Sequence, residues 1–168
     1  MSDSGIRIEP ATAADVAEIL SFIRALAEYE RLADRVVATE ESLRASLFGE
    51  RPAAEVVFAR AGADRVGFAL FFHSYSTFLG QRGLYLEDLF VKPEHRGRGH
   101  GKALLAHLAR IAIERGCGRM EWMALEWNAP AIEFYRKLGA TTLDDWRFFR
   151  LPGGRLRALA AGASSAEE

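Results

Sequence analysis

The segment from Arg96 to Lys102, RGRGHGK, places three glycines, three fixed cations and a histidine within seven residues. It follows a β-rich segment that stops at Pro93, and it runs directly into the helical pattern of residues 101–115. Main-chain N–H groups at a helix N-terminus attract anions, together with the helix dipole. Glycines let a ligand approach the main chain without a Cβ in between. The segment therefore predicts a cradle for a phosphate or pyrophosphate group, with the basic side chains at its rim.

Two common phosphate-binding motifs do not match this loop. A P-loop needs a glycine five residues before Gly101-Lys102, where this chain has Arg96, and a Ser or Thr afterwards, where it has Ala103. The dinucleotide fingerprint needs a third small residue where this chain has Lys102 or Leu104. A flexible loop with a solvated basic edge is the remaining alternative, and the strong helix that follows disfavours it.

Two adjacent acids, Glu87 and Asp88, lie inside the apolar strand pattern of residues 83–92. Burial of such groups is costly unless they have partners or a task. Strand alternation places Asp88 on the face of Leu86 and Glu87 on the face of Tyr85. A carboxylate in such a segment can bind a cation or accept a proton during a reaction. We take Glu87 as the candidate for such a base or cation-steering role, whereas Asp88 is expected to satisfy backbone or arginine donors.

Composition narrows the classes of function. The 168 residues suggest one domain, which we place at residues 1–157, followed by a frayed tail at 158–168. Because 22 basic residues face 23 acidic ones, no global field favours a nucleic acid as partner. The single Cys117 fits a reducing compartment.

The sequence also gives expectations about membrane association and metal binding. No apolar window reaches the length of a membrane span, and the first residues lack the pattern of a signal peptide, so we expect a cytoplasmic protein without a membrane partner. The four histidines are scattered, and no His/Cys spacing matches a zinc site, so no metal is expected.

Hydrophobic periodicity predicts a mixed order of strands and helices. Thr12, with Asp15 three residues on, and Thr39 are expected to cap the first two helices, the second of which ends at Gly49. The other helices are predicted at 101–115 and 131–138, and the strands at 6–9, 54–60, 66–76, 83–92, 119–125 and 140–151. This order indicates a mixed sheet with helices on its faces, in the α/β or α+β class.

The spacing Arg96-x-x-Gly99-x-Gly101 resembles the acyl-CoA pyrophosphate loop of the GNAT N-acetyltransferases. The blocks GIRIEPATAADVAEIL, LYLEDLFVKPEHRGRGHGKALL and ALEWNAPAIEFYRKLGA, in this order, look like the diamine (spermidine/spermine) acetyltransferase subfamily. SYSTFLGQRGLYLEDLFV is similar to its thialysine acetyltransferase branch. The resemblance implies a GNAT fold: a mostly antiparallel central sheet, flanked by helices, with a splayed parallel strand pair that holds acetyl-CoA. It also implies a homodimer and direct attack of a small-molecule primary amine on acetyl-CoA in a ternary complex.

The resemblance assigns the acetyl-CoA site to two strand ends, the glycine loop and a later helix. The expected cofactor-binding residues are Leu89, Phe90, Val91, Arg96, Gly97, Arg98, Gly99, His100, Gly101, Lys102, Asn128, Ala129, Pro130 and Ala131. Tyr135 matches the family tyrosine that faces the CoA sulfur, where a phenol proton assists departure of the thiolate. The alternative for Tyr135 is a packing role like that of Phe134.

The acceptor pocket follows from the same resemblance, since acids with an aromatic wall suit a cationic aliphatic chain. The expected substrate-binding residues are Tyr29, Glu30, Glu87, Glu121, Trp122, Met123 and Asp145. The chain has Tyr75-Ser76-Thr77-Phe78 where the spermidine-preferring branch has an acidic residue, and its segment between Ala140 and Trp146 is shorter. Both departures favour thialysine or a lysine-like amino acid over a polyamine. A non-catalytic acyl-CoA sensor and a protein lysine acetyltransferase are the alternatives.

Overall fold

The computed structural model describes residues 5–162. Residues 5–125 form one compact unit and residues 126–162 a second. The elements are β1 (Ile6–Pro10), α1 (Val16–Tyr29), α2 (Glu40–Phe48), β2 (Glu55–Ala61), β3 (Asp64–Ser76), β4 (Gln81–Val91), α3 (His100–Glu114), β5 (Met120–Trp122), α4 (Ala129–Lys137) and α5 (Gly153–Ala160). Short 3-10 turns at Ala13–Asp15, Ala33–Arg35 and Pro93–His95 connect some of them.

The first unit contains a five-stranded sheet in the order β1-β2-β3-β4-β5. Neighbouring strands are antiparallel except β4 and β5, which are parallel. Since α3 connects these two strands, the parallel pair has the crossover that parallel pairing requires. The predicted mixed, mostly antiparallel sheet with flanking helices is confirmed.

The core lies on both faces of the sheet. On one face, Phe22 of α1 packs against Phe58 and Phe68, with ring centroids 5.7 and 5.2 Å away. On the other face lies α3: a Cβ added at Gly67 would come within 3.4 Å of the Leu104 side chain and within 2.9 Å of the Phe90 carbonyl oxygen. Glycine at position 67 therefore permits the close approach of strand and helix.

Thr39 caps α2 as predicted, whereas Thr12 forms its capping box with Asp15 on the 3-10 turn Ala13–Asp15, and Asp15 is the N-cap of α1. The Asp15 carboxylate accepts hydrogen bonds from the backbone N–H (2.7 Å) and the hydroxyl (2.9 Å) of Thr12. The Thr39 hydroxyl accepts one from the Ser42 backbone N–H at 3.1 Å. Each cap satisfies groups that the first turn leaves without a partner, so both helix starts follow from local sequence.

Arg65 of β3 joins three elements through a network of carboxylates. Its guanidinium contacts Glu9 at 2.9 Å, Asp15 at 2.6 Å and Glu18 at 2.7 Å. It also lies over the Phe58 ring, 4.3 Å from the centroid. Since β1, β3 and the start of α1 meet at this one side chain, Arg65 is expected to stabilise the first unit.

The predicted strand at 140–151 is wrong. None of these residues is in a strand, and the helix Gly153–Ala160 follows, which the sequence analysis did not predict. Trp146 and Phe149 are 73% and 88% exposed. Apolar alternation produces a strand only where a neighbouring strand supplies hydrogen bonds, and the described residues provide none here.

Two further boundaries differ from prediction. The strand expected at 119–125 is formed only at Met120–Trp122. Of the tail expected to be frayed, residues 158–160 belong to α5, while residues 163–168 lie outside the described part of the chain. The single-domain assignment of residues 1–157 stays a prediction.

Candidate active site

The glycine loop has the geometry of an anion cradle. Gly97 and Gly99 have φ angles of +73° and +89°, which L-residues with a side chain rarely adopt. Gly99 is the N-cap of α3, and the Ala103 N–H donates to its carbonyl oxygen at 2.9 Å. The N–H groups of the residues between them lie in the first turn, where the helix itself offers no acceptor. The loop therefore fits the pyrophosphate of acetyl-CoA, although this ligand assignment stays a prediction.

The Arg96 side chain makes two contacts beside the glycine loop. Its Nε donates to the Val91 carbonyl oxygen at 2.8 Å, and its guanidinium lies 4.5 Å from the centre of the Tyr29 ring. The side chain thus fastens the loop to the end of β4 and to the last residue of α1. Arg96 is nevertheless exposed, so its position agrees with that of a cation at the rim of the loop, and its part in binding a ligand stays a prediction.

Two histidines, His95 and His100, border the loop. The ring centroids of His95 and His100 are 6.0 Å apart, and His100 is only 4% exposed. Burial lowers the pKa of His100, and the nearby His95 and Arg98 lower it further. These influences favour the neutral form of the imidazole at the first position of α3.

The parallel strands β4 and β5 pair over a short distance only. The register joins Leu84 to Met120 and Leu86 to Trp122, whereas β4 continues to Val91. Within residues 5–125, the last residues of β4 therefore have no ladder partner on the side of β5. This confirms the splayed strand pair, and it leaves main-chain groups near Leu89–Val91 for a ligand arm.

A β-bulge occurs at Glu87. Asp88 pairs with Leu70 and Leu86 pairs with Phe71, so that the register skips Glu87. Because Leu70 and Phe71 point to opposite faces of β3, Asp88 and Leu86 do so as well. The predicted alternation along β4 is therefore wrong at this point.

Asp88 has an unusual environment as a result. It lies half-buried on the face of the sheet that carries α1, whereas Glu87 is exposed. Burial raises the pKa of Asp88 to about 7, with further contributions from Glu87 and Glu30. Burial also raises the pKa of Glu30. In the described part of the chain Asp88 has no hydrogen bond or ion pair, so the expectation that it satisfies backbone or arginine donors is wrong.

A row of three side chains lies on the same face, of which only Glu121 was predicted as a site residue. Phe72, Tyr85 and Glu121 are register partners on β3, β4 and β5, and the two rings are 5.0 Å apart. Burial raises the pKa of Tyr85, and the charges of Glu87 and Glu121 raise it further. The sequence does show an aromatic residue, Tyr85, two positions before the acidic pair. Only the bulge, however, places Tyr85 on the same face of the sheet as Asp88.

The other residues predicted to bind the acceptor do not all lie on the same face of the sheet. Glu30 is the C-cap of α1, and its charge reaches Asp88. Trp122 pairs with Leu86 and therefore lies on the face opposite Glu121. Met123 follows the end of β5 and is 52% exposed. Of the candidates on β5, only Glu121 shares the face of Asp88.

The remaining candidates belong to the second unit. The Asn128 side chain is buried and caps α4, accepting a hydrogen bond from the Ala131 N–H at 3.4 Å. Pro130 lies in the first turn. Tyr135 is half-buried on α4, with its ring 5.4 Å from that of Phe134, and Asp145 is exposed. Their roles in acetyl-CoA or acceptor binding stay predictions.

Neither a metal centre nor a membrane helix is found in residues 5–162. No group of three or more His, Cys, Asp or Glu side chains there is arranged to hold a metal ion. No helix in the same range combines the length and the apolar character needed to cross a bilayer.

Comparison with known proteins agrees with this geometry. The model of the Acetyltransferase (GNAT) family matches residues 20–140. Thialysine N-epsilon-acetyltransferase of Bos taurus is 42% identical, over 92% of this chain and 97% of that protein. L-ornithine N5-acetyltransferase of Arabidopsis thaliana is 34% identical, over 91% and 87%. A solved integron cassette protein from the mobile metagenome of V. cholerae has a TM-score of 0.77 at 29% identity, over 95% and 99% of the two chains. The chain therefore belongs to the GNAT family of acetyl-CoA-dependent N-acetyltransferases.

Proposed function

We propose that this enzyme acetylates the terminal primary amine of a small cationic molecule: a lysine-like amino acid such as thialysine or ornithine, or a diamine or polyamine. The observation that carries the proposal is Asp88, a carboxyl with a pKa of about 7 and no partner in the described chain, close to the charges of Glu87 and Glu30. An acidic cluster without counter-charges favours a cationic substrate. The names of the two relatives above support the same class of acceptor.

The donor would be held mainly by main chain. The N–H groups at the start of α3 suit a pyrophosphate, and the free edge of β4 near Leu89–Val91 suits the pantetheine arm. By the family resemblance, the residues from Asn128 to Ala131 would complete the site. Acetyl-CoA supplies the thioester, whose carbonyl carbon is the electrophile.

Three side chains would carry the chemistry. Glu87 steers the ammonium group, and Asp88 accepts its proton, directly or through water. A base with a pKa close to the working pH combines a sufficient ionised fraction with useful basicity. The free amine then attacks the thioester carbon, the carbon–sulfur bond breaks, and Tyr135 gives its proton to the departing thiolate. The newly bonded nitrogen loses its second proton as the amide forms, and this proton restores the Tyr135 phenol, directly or through water.

A panel of acceptors tests the function. Thialysine, lysine, ornithine, 1,4-diaminobutane, spermidine and a lysine-containing peptide are incubated with acetyl-CoA, and thiol release is followed. We expect turnover with the free diamino compounds and none with the peptide. CoA binding without turnover on any amine would support the sensor alternative, and turnover on the peptide alone would support protein acetylation.

The pH profile tests the carboxylates. The kcat/KM of the wild type is expected to rise as Asp88 ionises, through a pH of about 7. Asp88→Asn should abolish this rise and lower kcat/KM by about 100-fold, whereas Glu87→Gln should keep the rise and increase the KM for the amine. The exposed Asp64→Asn, on the β2–β3 turn, is the matched control. An unchanged profile in Asp88→Asn would remove Asp88 from the proton transfer.

The same substitution has an expected effect on stability. Because the pKa of Asp88 is raised in the folded state, its ionisation destabilises the fold increasingly as the pH rises from about 4 to about 7. Asp88→Asn should therefore increase the free energy of unfolding at pH 8 but not at pH 4. Urea titrations at both pH values measure this difference, and an equal effect at both would contradict the assigned pKa.

We also propose a cytoplasmic homodimer. Eight large apolar side chains among residues 126–162 are each at least 48% exposed: Trp127, Leu143, Trp146, Phe148, Phe149, Leu151, Leu156 and Leu159. Exposed apolar groups in such density are typical of a protein contact. Sedimentation of the wild type should give a dimer, and Phe149→Glu should shift it towards monomer. A monomeric wild type would contradict the proposal.

A further inference from the structure

Two stacked aromatic rings lie beside the proposed proton acceptor. Phe72 and Tyr85 face each other across β3 and β4, with ring centroids 5.0 Å apart at an angle of 30°. Both are half-buried, and they share the sheet face of Asp88. The bulge creates this arrangement, because it brings Tyr85 and Asp88 to one face although three positions separate them along the strand.

Negative charge is concentrated at the Tyr85 end of this pair. The charges of Glu87 and Glu121 both act on the Tyr85 phenol. Arg119 engages Glu121 through one oxygen only, with its Nε 3.0 Å from Oε1. Among residues 5–162, no hydrogen bond or ion pair engages Glu87. An ammonium group placed over the Tyr85 ring would therefore meet two carboxylates that retain acceptor capacity.

The Phe72 end of the ring pair carries less unbalanced negative charge than the Tyr85 end. Phe72 and His73 line a cavity of about 310 Å³ together with residues 52–55. The carboxylate in this cavity, that of Glu55, is engaged through both oxygens by Arg115, whose second nitrogen lies at 2.9 Å. Since a bidentate guanidinium neutralises Glu55, this end offers aliphatic contact but little attraction for a cation.

We propose that Tyr85 and Phe72 form an aromatic platform that binds the second, non-reacting cationic group of the acceptor. The platform selects amines with two positive charges; this inference rests on the proposed function. Ammonium groups bind over aromatic faces, most strongly where neighbouring carboxylates add to the attraction. Two strand residues, one of them in the bulge, lie between Tyr85 and Asp88, which are therefore roughly 7–10 Å apart along the strand. An aliphatic chain of four or five carbons between two amines spans a similar distance.

The test compares acceptor binding without any turnover. Binding of 1,4-diaminobutane and of n-butylamine to the CoA-saturated protein is measured by ligand-observed NMR, for the wild type, Tyr85→Phe and Tyr85→Leu. The wild type should bind the diamine at least about tenfold more tightly. Tyr85→Leu should reduce this preference at least threefold, with little change for the monoamine, while Tyr85→Phe, which keeps the ring, should retain it.

A preference that survives in Tyr85→Leu, or a wild type that binds both amines equally, would overturn the platform. Should Tyr85→Leu fail to fold, judged by its melting temperature, Phe72→Leu tests the same prediction. Thiol release with acetyl-CoA is measured in parallel on the wild type. A diamine preference in binding without thiol release would contradict the proposed function but leave the platform standing.

Discussion

Replacing Tyr135 by phenylalanine is expected to lower kcat by about 100-fold or more. The phenol would protonate the thiolate as the tetrahedral intermediate collapses, and phenylalanine has no proton to give. The affinity for CoA should remain within about twofold, because the ring and its contact with Phe134 are kept. Single-turnover kinetics and CoA titration measure the two effects separately.

The matched control is Tyr75→Phe, which removes a phenol hydroxyl from a residue of β3 that is 67% exposed. It should leave kcat and CoA affinity unchanged. A parallel loss of turnover and of CoA affinity in Tyr135→Phe would show that the residue packs against the donor site. It would then have no role in protonating the leaving group.

Replacing Arg65 by methionine is expected to lower the free energy of unfolding by about 2–3 kcal/mol at pH 7. The guanidinium is bonded to Glu9, Asp15 and Glu18, and its side chain is 20% exposed. Burial tends to raise the pKa of Glu9 and of Asp15, but the hydrogen bonds from Arg65 outweigh it and lower both. Without Arg65, no ion pair remains at Asp15 and Glu18 within residues 5–162, and Glu9 keeps only the one with Arg60.

The lowered pKa values of Glu9 and Asp15 determine how the effect of Arg65→Met on stability changes with pH. Carboxyls with lowered pKa stabilise the fold above their unfolded pKa, near pH 4, and this contribution is lost as the pH falls through the folded value. The difference between the wild type and Arg65→Met should therefore shrink at pH 3. Urea unfolding at pH 7 and pH 3 measures it, with the exposed Arg7→Met as control. A difference that persists undiminished at pH 3 would point to lost packing on Phe58.

The local features of the fold follow from short stretches of sequence. The caps at Thr12 and Thr39 and the glycines of RGRGHGK satisfy needs that arise within a single turn. A hydroxyl or carboxylate binds the nearest orphan N–H, and a left-handed φ angle requires glycine. For this reason the helix starts and the shape of the loop could be predicted before any tertiary contact was known.

The pairing of strands could not be predicted from the sequence in the same way. The stretch at 140–151 has the apolar composition of a strand, but none of its residues forms one. Residues 83–92 also look like a regular strand, and yet the register with β3 skips Glu87. A ladder is made between two segments, so neither its existence nor its bulges are determined by one segment alone.

At the candidate site, too, some features depend on local sequence and others on contacts between distant segments. By itself, the sequence determined the family, the glycine cradle and the acidic pair, since each depends on residue types at a fixed local spacing. Only the tertiary structure decided that Asp88 shares a face with Tyr85 and Phe72, and that the exposed Arg96 contacts the Val91 carbonyl and the Tyr29 ring. A bulge, a buried charge and a cross-strand ring contact depend on neighbours distant in sequence, because burial and pairing exist only once the chain has folded.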